Sequence, residues 1–143
     1  MKLEVNSQIL RMIGKISRII NTESNHDFKQ FGLKNGQNSY LVRVCEHPGI
    51  HANELTAMMN VDKSTTSKAV QKLVQMGYLI KEIDQSNRRA VRLYPTERGK
   101  TVFPELIRNE NRQIADGFKN FSQEEIKGLE ELVKKMSDNY ERS

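Results

Sequence analysis

The chain holds one cysteine and three prolines, and no apolar run near the ~20 residues that a membrane-spanning helix needs. The lone thiol, Cys45, excludes an intrachain disulfide framework and fits a reducing compartment. The opening residues, MKLEVNSQIL, lack the apolar core and small-residue cleavage site of a secretory signal, so a cytoplasmic protein without membrane contact is expected. Catalytic signatures are missing as well: there is no H-E-x-x-H, no G-x-S-x-G and no phosphate-cradling glycine-rich loop. His26, His47 and His51 fall in or beside expected loops and suggest no Ser/His/Asp set. Neither an enzyme nor a cofactor is expected. With no repeat or low-complexity tract, residues 1–143 read as one domain.

What is present describes a soluble globular chain. Of 143 residues, 36% are hydrophobic and 29% charged, enough for a core without staples. The net charge is +5, and its placement matters more than its size. Residues 61–100 hold nine basic and four acidic side chains, residues 1–60 are only slightly basic, and residues 101–143 are acidic. A basic block between less basic flanks suits a phosphate-facing surface, although a merely solvated face is the plain alternative.

Apolar residues at helical spacing, Val5, Ile9, Met12, Ile13, Ile16, Ile19 and Ile20, predict an amphipathic helix over Val5 to Ile20. Asn21 to Asn35 is polar, contains Gly32, and reads as a loop. A helix over Gln37 to Glu46 turns Tyr40, Leu41, Val44 and Cys45 inward and stops at His47-Pro48-Gly49. Short helices over Ala52 to Met59 and Lys63 to Met76 flank the break Asn60-Val61-Asp62, with Asp62 placed to cap the second. The period then changes. Leu79 to Ile83 and Ala90 to Tyr94 read as strands around the polar loop Asp84 to Arg89, closed by Pro95. Thr96 can cap a helix through Val102, Phe103, Leu106, Ile107 and Ile114, with Pro104 in its early turns or bending it. Ser122-x-x-Glu125 is a capping box for a last helix striped with Ile126, Leu129, Leu132, Val133 and Met136.

Two short helices across a tight turn, followed by a hairpin, make a winged helix-turn-helix, so the expected class is mainly α with a small β-hairpin wing. An α-helix fits the major groove of duplex DNA. Ser64, Thr65 and Ser67 place short hydroxyls near the N-terminus of the second helix, where backbone N–H groups favour phosphate. Lys68, Gln71 and Lys72 add charge and base-edge hydrogen bonding on the outward face. Arg88 and Arg89 at the wing tip suit the narrow, electronegative minor groove. Each feature alone has a bland reading, a helix cap or a solvated loop. Their sequence along one rigid unit does not.

The segment DKSTTSKAVQKLVQMGYLIKEIDQSNRRAVRLYPTERG resembles the recognition helix and wing of the MarR family of bacterial regulators. The family's wing pattern falls on Asp84-Gln85-Ser86-Asn87-Arg88-Arg89-Ala90, its glycine on Gly77, and its T-x-x-G helix start on Thr96 to Gly99. The flanking helices match too, so the likeness spans essentially the whole chain. The resemblance implies a homodimeric transcriptional regulator, by family default a repressor, binding a pseudo-palindromic double-stranded operator. Residues 37–99 would be the DNA-binding lobe, and residues 3–22 and 100–141 the dimerisation helices. Ser64, Thr65, Ser67 and Lys68 would enter the major groove, and Arg88 or Arg89 the minor groove. Asp84 would hold the wing by pairing with an arginine. Asn87 stands where a second wing aspartate is usual, so a salt bridge there weakens to a neutral hydrogen bond. Thr56 and Pro95 replace a common alanine and leucine.

The signal sensed is less legible. Relatives of this kind bind small aromatic acids or drugs between the dimer helices and the DNA-binding lobe. Met12, Ile16, Tyr40 and Arg43 are candidates for such a lining, though each also reads as ordinary core or surface. Redox sensing through Cys45 competes with a buried structural thiol. Metal sensing through Cys45, His47 and His51 has suitable ligand types, but they straddle a helix end and a Pro-Gly turn. The rival from another class is a protein-interaction module that uses the helix-turn-helix as a scaffold.

Overall fold

The computed structural model describes residues 2–141. In chain order the elements are α1 (Ile9–Asp27), a 3₁₀ turn (Lys29–Phe31), α2 (Gln37–Glu46), β1 (Ile50–His51), α3 (Ala52–Met59), α4 (Lys63–Gln75), β2 (Leu79–Asp84), β3 (Asn87–Pro95), α5 (Glu97–Gly117) and α6 (Gln123–Glu141). The strands form one antiparallel sheet in the order β1-β3-β2. Packing divides the chain into two compact units, one reaching Asn109 and one beginning at Glu110, with α5 running across the division.

In the first unit the core is built where helix and strand periods bring apolar side chains to one centre. Leu41 and Val44 of α2, Leu55 of α3, Leu73 of α4 and Leu93 of β3 are fully buried, beside Tyr78, Leu79, Val102 and Leu106. Deleting such a leucine side chain costs about 2–5 kcal/mol, so this cluster carries much of the lobe's stability. α1 is different: it buries only Ser24. Ile9, Met12, Ile13, Ile16, Ile19 and Ile20 remain between 39% and 57% exposed, an apolar stripe facing water in the single chain. In the second unit, α6 starts at the expected capping box, with Ser122 Oγ accepting the Glu125 N–H and Glu125 Oε1 accepting the Ser122 N–H. Phe118 and Phe121 meet edge to face at 5.3 Å in the preceding turn. Leu129, Leu132 and Val133 of α6 are exposed.

Several boundaries differ from the sequence expectation. α1 begins at Ile9 and continues to Asp27 through NTESNHD, which has no apolar stripe to betray it, so the first half of the expected loop is helix. The Pro-Gly exit from α2 leads directly into β1, where Ile50 and His51 pair with Leu93 and Arg92. Two residues are too few to show a period, and β1 was not expected. The wing is longer and its turn shorter: β3 starts at Asn87, leaving Gln85-Ser86 between the strands. Cys45 is half-buried rather than fully inside. Pro104 is accommodated inside α5.

Candidate nucleic-acid interface

Local chemistry aims α4. Asn60 takes a left-handed conformation (φ 53°), which lets the chain leave α3 and enter α4 within three residues. Asp62 caps the helix, its Oδ1 accepting the Thr65 N–H at 2.7 Å, and that bond above all holds its carboxyl below the usual aspartate range. Thr66, Val70 and Leu73 face the core. The period of 3.6 then leaves Ser64, Thr65, Ser67, Lys68, Gln71 and Lys72 exposed on the opposite side.

The far end of α4 is pinned. Gly77 turns the chain with φ 81°, and its carbonyl accepts the Thr96 hydroxyl at 2.6 Å. Arg98 donates to the Met76 carbonyl while its guanidinium lies 4.4 Å from the Tyr78 ring centroid. The Tyr78 hydroxyl donates to the Phe31 carbonyl at 2.6 Å. These bonds tie the end of the helix to two neighbouring segments, the start of α5 and the 3₁₀ turn.

The wing carries a register irregularity at its tip. Asp84 pairs with Asn87 and Ile83 with Val91, so β2 advances one residue while β3 advances four. Arg88, Arg89 and Ala90 consequently have no register partner on β2, and both arginines are exposed. Bulges of this kind re-aim side chains at sheet rims. Asp84 organises the turn: Oδ1 accepts the Ser86 N–H at 2.9 Å and the Ser86 hydroxyl at 2.8 Å. Oδ2 lies 3.2 Å from Arg92 Nε and 2.6 Å from His51 Nε2. The His51 contact, then the Ser86 bonds, hold the Asp84 carboxyl well below the usual range. Asn87 Oδ1 accepts the Arg89 N–H at 3.2 Å, a neutral bond closing the turn.

Helix and wing meet across a cleft of about 460 Å³. Lys63, Ser64 and Ser67 of α4 line one side, and Lys81 of β2 and Arg89 of β3 the other, with His51 also in the lining. Lys63, Lys81 and Arg89 line it without a carboxylate, so its field favours anions. Of the residues singled out in the sequence, Ser64, Ser67 and Arg89 come together here. Thr65, Lys68, Gln71 and Lys72 extend along the open face of α4, and Arg88 is exposed beside the cleft.

The sequence profile of the MarR family matches residues 33–91, from the turn before α2 through the wing. YybA of Bacillus subtilis strain 168, an uncharacterized HTH-type transcriptional regulator, is 38% identical over 136 residues, covering 95% of this chain and 91% of its own. The chain belongs to the MarR family. A solved MarR protein from Peptoclostridium difficile DA00132 superposes with a TM-score of 0.94 at 41% identity, covering 99% of this chain and 93% of that one. A MarR family regulator from Listeria monocytogenes, solved in complex with 26mer DNA, gives 0.90 at 35% identity, covering 99% and 91%. This MarR-family chain is thus a winged-helix transcriptional regulator and not an enzyme.

Within that family frame, three residues of the interface were missed in the sequence. Lys63 and Lys81 line the cleft but stood only as members of the basic block. His51, read as lying in or beside a loop and as a possible metal ligand, is instead the last residue of β1 and the N-cap of α3, with its ring on Asp84 of the wing. Its proximity to the wing depends on the unexpected β1. The sensor candidates are dispersed: Met12 and Ile16 are exposed on α1, Tyr40 is buried, and Arg43 pairs with Glu46 at 3.8 Å. Cys45 Sγ contacts the Gly99 carbonyl at 3.8 Å, and burial followed by the Glu46 charge pushes its thiol up to about 11. Among the described residues no three His, Cys, Asp or Glu side chains form a metal-binding group, and none of the helices is long and apolar enough to cross a membrane.

Proposed function

We propose that this chain acts in the cytoplasm as a homodimeric repressor, binding a pseudo-palindromic duplex operator. Ser64, Thr65, Ser67, Lys68, Gln71 and Lys72 of α4 occupy the major groove, and Arg88 and Arg89 reach the adjacent minor groove. The observation that carries this reading is the carboxylate-free cleft in which Ser64 and Ser67 face Arg89, between Lys63 and Lys81. One surface thereby offers hydroxyls for base edges and cations for phosphates.

Dimerisation is supported by α1. Its row of exposed isoleucines is costly in water and self-complementary across a two-fold axis. Two copies of α4 about 34–36 Å apart would read successive major grooves on one side of the duplex. A small effector would act by favouring a conformer whose spacing misses that period.

The test is a salt series with duplex DNA. Affinity should fall linearly in log–log form, with a slope near −0.9 per phosphate contacted. Failure to bind random or genomic duplex even in dilute buffer would assign the surface to a protein partner instead.

A further inference from the structure

Both nitrogens of the His51 ring meet carboxylate oxygens. Nδ1 lies 2.8 Å from Glu54 Oε1, and Nε2 lies 2.6 Å from Asp84 Oδ2. Glu54 stands in the first turn of α3, where its Oε1 also accepts the His51 backbone N–H at 3.0 Å. Asp84 ends β2 at the wing turn. Arg92 of β3, the register partner of His51, reaches the same Asp84 oxygen and donates to the Gly49 carbonyl at 2.9 Å. The charged groups around the ring are therefore Glu54 from α3, Asp84 from β2 and Arg92 from β3. Lys63, Lys81 and Arg89 line the same cleft as the ring.

An ionised carboxylate only accepts, and a neutral imidazole donates from one nitrogen alone. Both short contacts are hydrogen bonds only when the ring carries two protons. A neutral ring could take the Glu54 backbone N–H at Nδ1 in a capping box, but it would then set a bare lone pair 2.8 Å from a carboxylate oxygen. Two carboxylates and one guanidinium leave the cluster one positive charge short of neutral, and the imidazolium supplies it.

We propose that His51, as an imidazolium, is a positioning residue that fastens the wing tip to the N-terminus of α3, so that operator binding depends on its proton. Protonated, the ring spans two elements with two charge-assisted bonds. Deprotonated, it keeps a proton on one nitrogen only and sets a lone pair against the other carboxylate, so the clip loses either its Glu54 or its Asp84 arm. The wing then samples positions in which Arg88 and Arg89 no longer face the grooves alongside α4, and affinity falls with the fraction that does. The sign is fixed by this geometry: binding is tight where the ring keeps both protons and weakens as pH is raised across the range from about 5 to 8. The DNA consequence rests on the wing reading above, whereas the ring's proton count does not.

The experiment has two arms on the full chain. In the first, ¹⁵N shifts of the His51 ring are recorded without DNA. Two protonated nitrogens at neutral pH are expected, and a neutral tautomer overturns the proposal. In the second, affinity for one random-sequence duplex in dilute buffer is measured across that pH interval for wild type, His51→Gln and the pair Arg88→Ala with Arg89→Ala. Wild type should weaken by about tenfold, the size of one lost charge-assisted bond, beyond any slope shared by all three proteins. His51→Gln should bind weakly at acid-side pH and lose that extra slope. If wild type and His51→Gln share one pH profile while the double arginine variant binds poorly, the clip is wrong and the wing reading stands. If the double arginine variant binds like wild type, the wing reading fails, and the ring nitrogens decide the clip alone.

Discussion

A Cβ placed on Gly99 would stand 2.5 Å from the carbonyl oxygen of Tyr78. The first turn of α5 thus passes the end of α4 at a distance that admits no side chain. Thr96 makes the approach possible, its hydroxyl accepting the Gly99 N–H at 3.1 Å and donating to the Gly77 carbonyl. The spacing Thr96-x-x-Gly99 is therefore a cap joined to a close contact. Gly99→Ala should destabilise the lobe by about 1–3 kcal/mol, the usual cost of overpacking, visible as a lowered Tm. An unchanged melting curve would show that the two backbones have room to part.

Much of this was legible beforehand, for reasons particular to each element. α2 and α3 fall on their expected bounds, and α4 ends within a residue of its own, because Pro48, Asn60, Asp62 and Gly77 punctuate them. Ser64, Ser67 and Arg89 could be named as surface groups, because each lies opposite or beyond an apolar face. Their arrangement around one cleft could not, since it depends on the pairing of β2 with β3 and on where the tip slips register. His51 was misplaced for a similar reason. Only the two-residue strand β1 carries it beside Arg92 and, through it, to Asp84.

Cys45 should be inert. With its thiol raised to about 11 by burial, almost no thiolate exists at neutral pH, and thiolate is the reactive form. Labelling by a thiol reagent at pH 7 should be slow in native protein and fast once denaturant is added. Rapid native labelling would reopen redox sensing.

Asp84 should contribute to the acid response. Its pKa is lowered on folding, chiefly by His51 and Ser86. The stabilisation is complete above the unfolded value, about 3.9, and is lost as pH falls from there toward the folded value. Asp84→Asn should therefore be less stable than wild type at pH 7, with the gap closing below about pH 4. A constant gap down to pH 2 would mean the carboxylate charge is not what holds the turn.

The stripe on α1 predicts its own disruption. Ile16 is 57% exposed in the single chain. Ile16→Asp would place an unpaired carboxylate in any interface built on that stripe, which apolar surroundings penalise heavily. Sedimentation should show at least about tenfold weaker self-association, with helix content little changed. Unaltered self-association would move the interface elsewhere.

The most direct measurement is the salt dependence of operator binding for wild type and for Arg88→Ala with Arg89→Ala. Wild-type affinity should fall steeply with salt, and the double variant should bind more weakly with a shallower slope, by about one for each phosphate contact removed. Lys68→Ala and Ser67→Ala should in addition change which sequences are preferred. Equal affinity and equal slope with and without the two arginines would contradict a wing and a helix that grip DNA together.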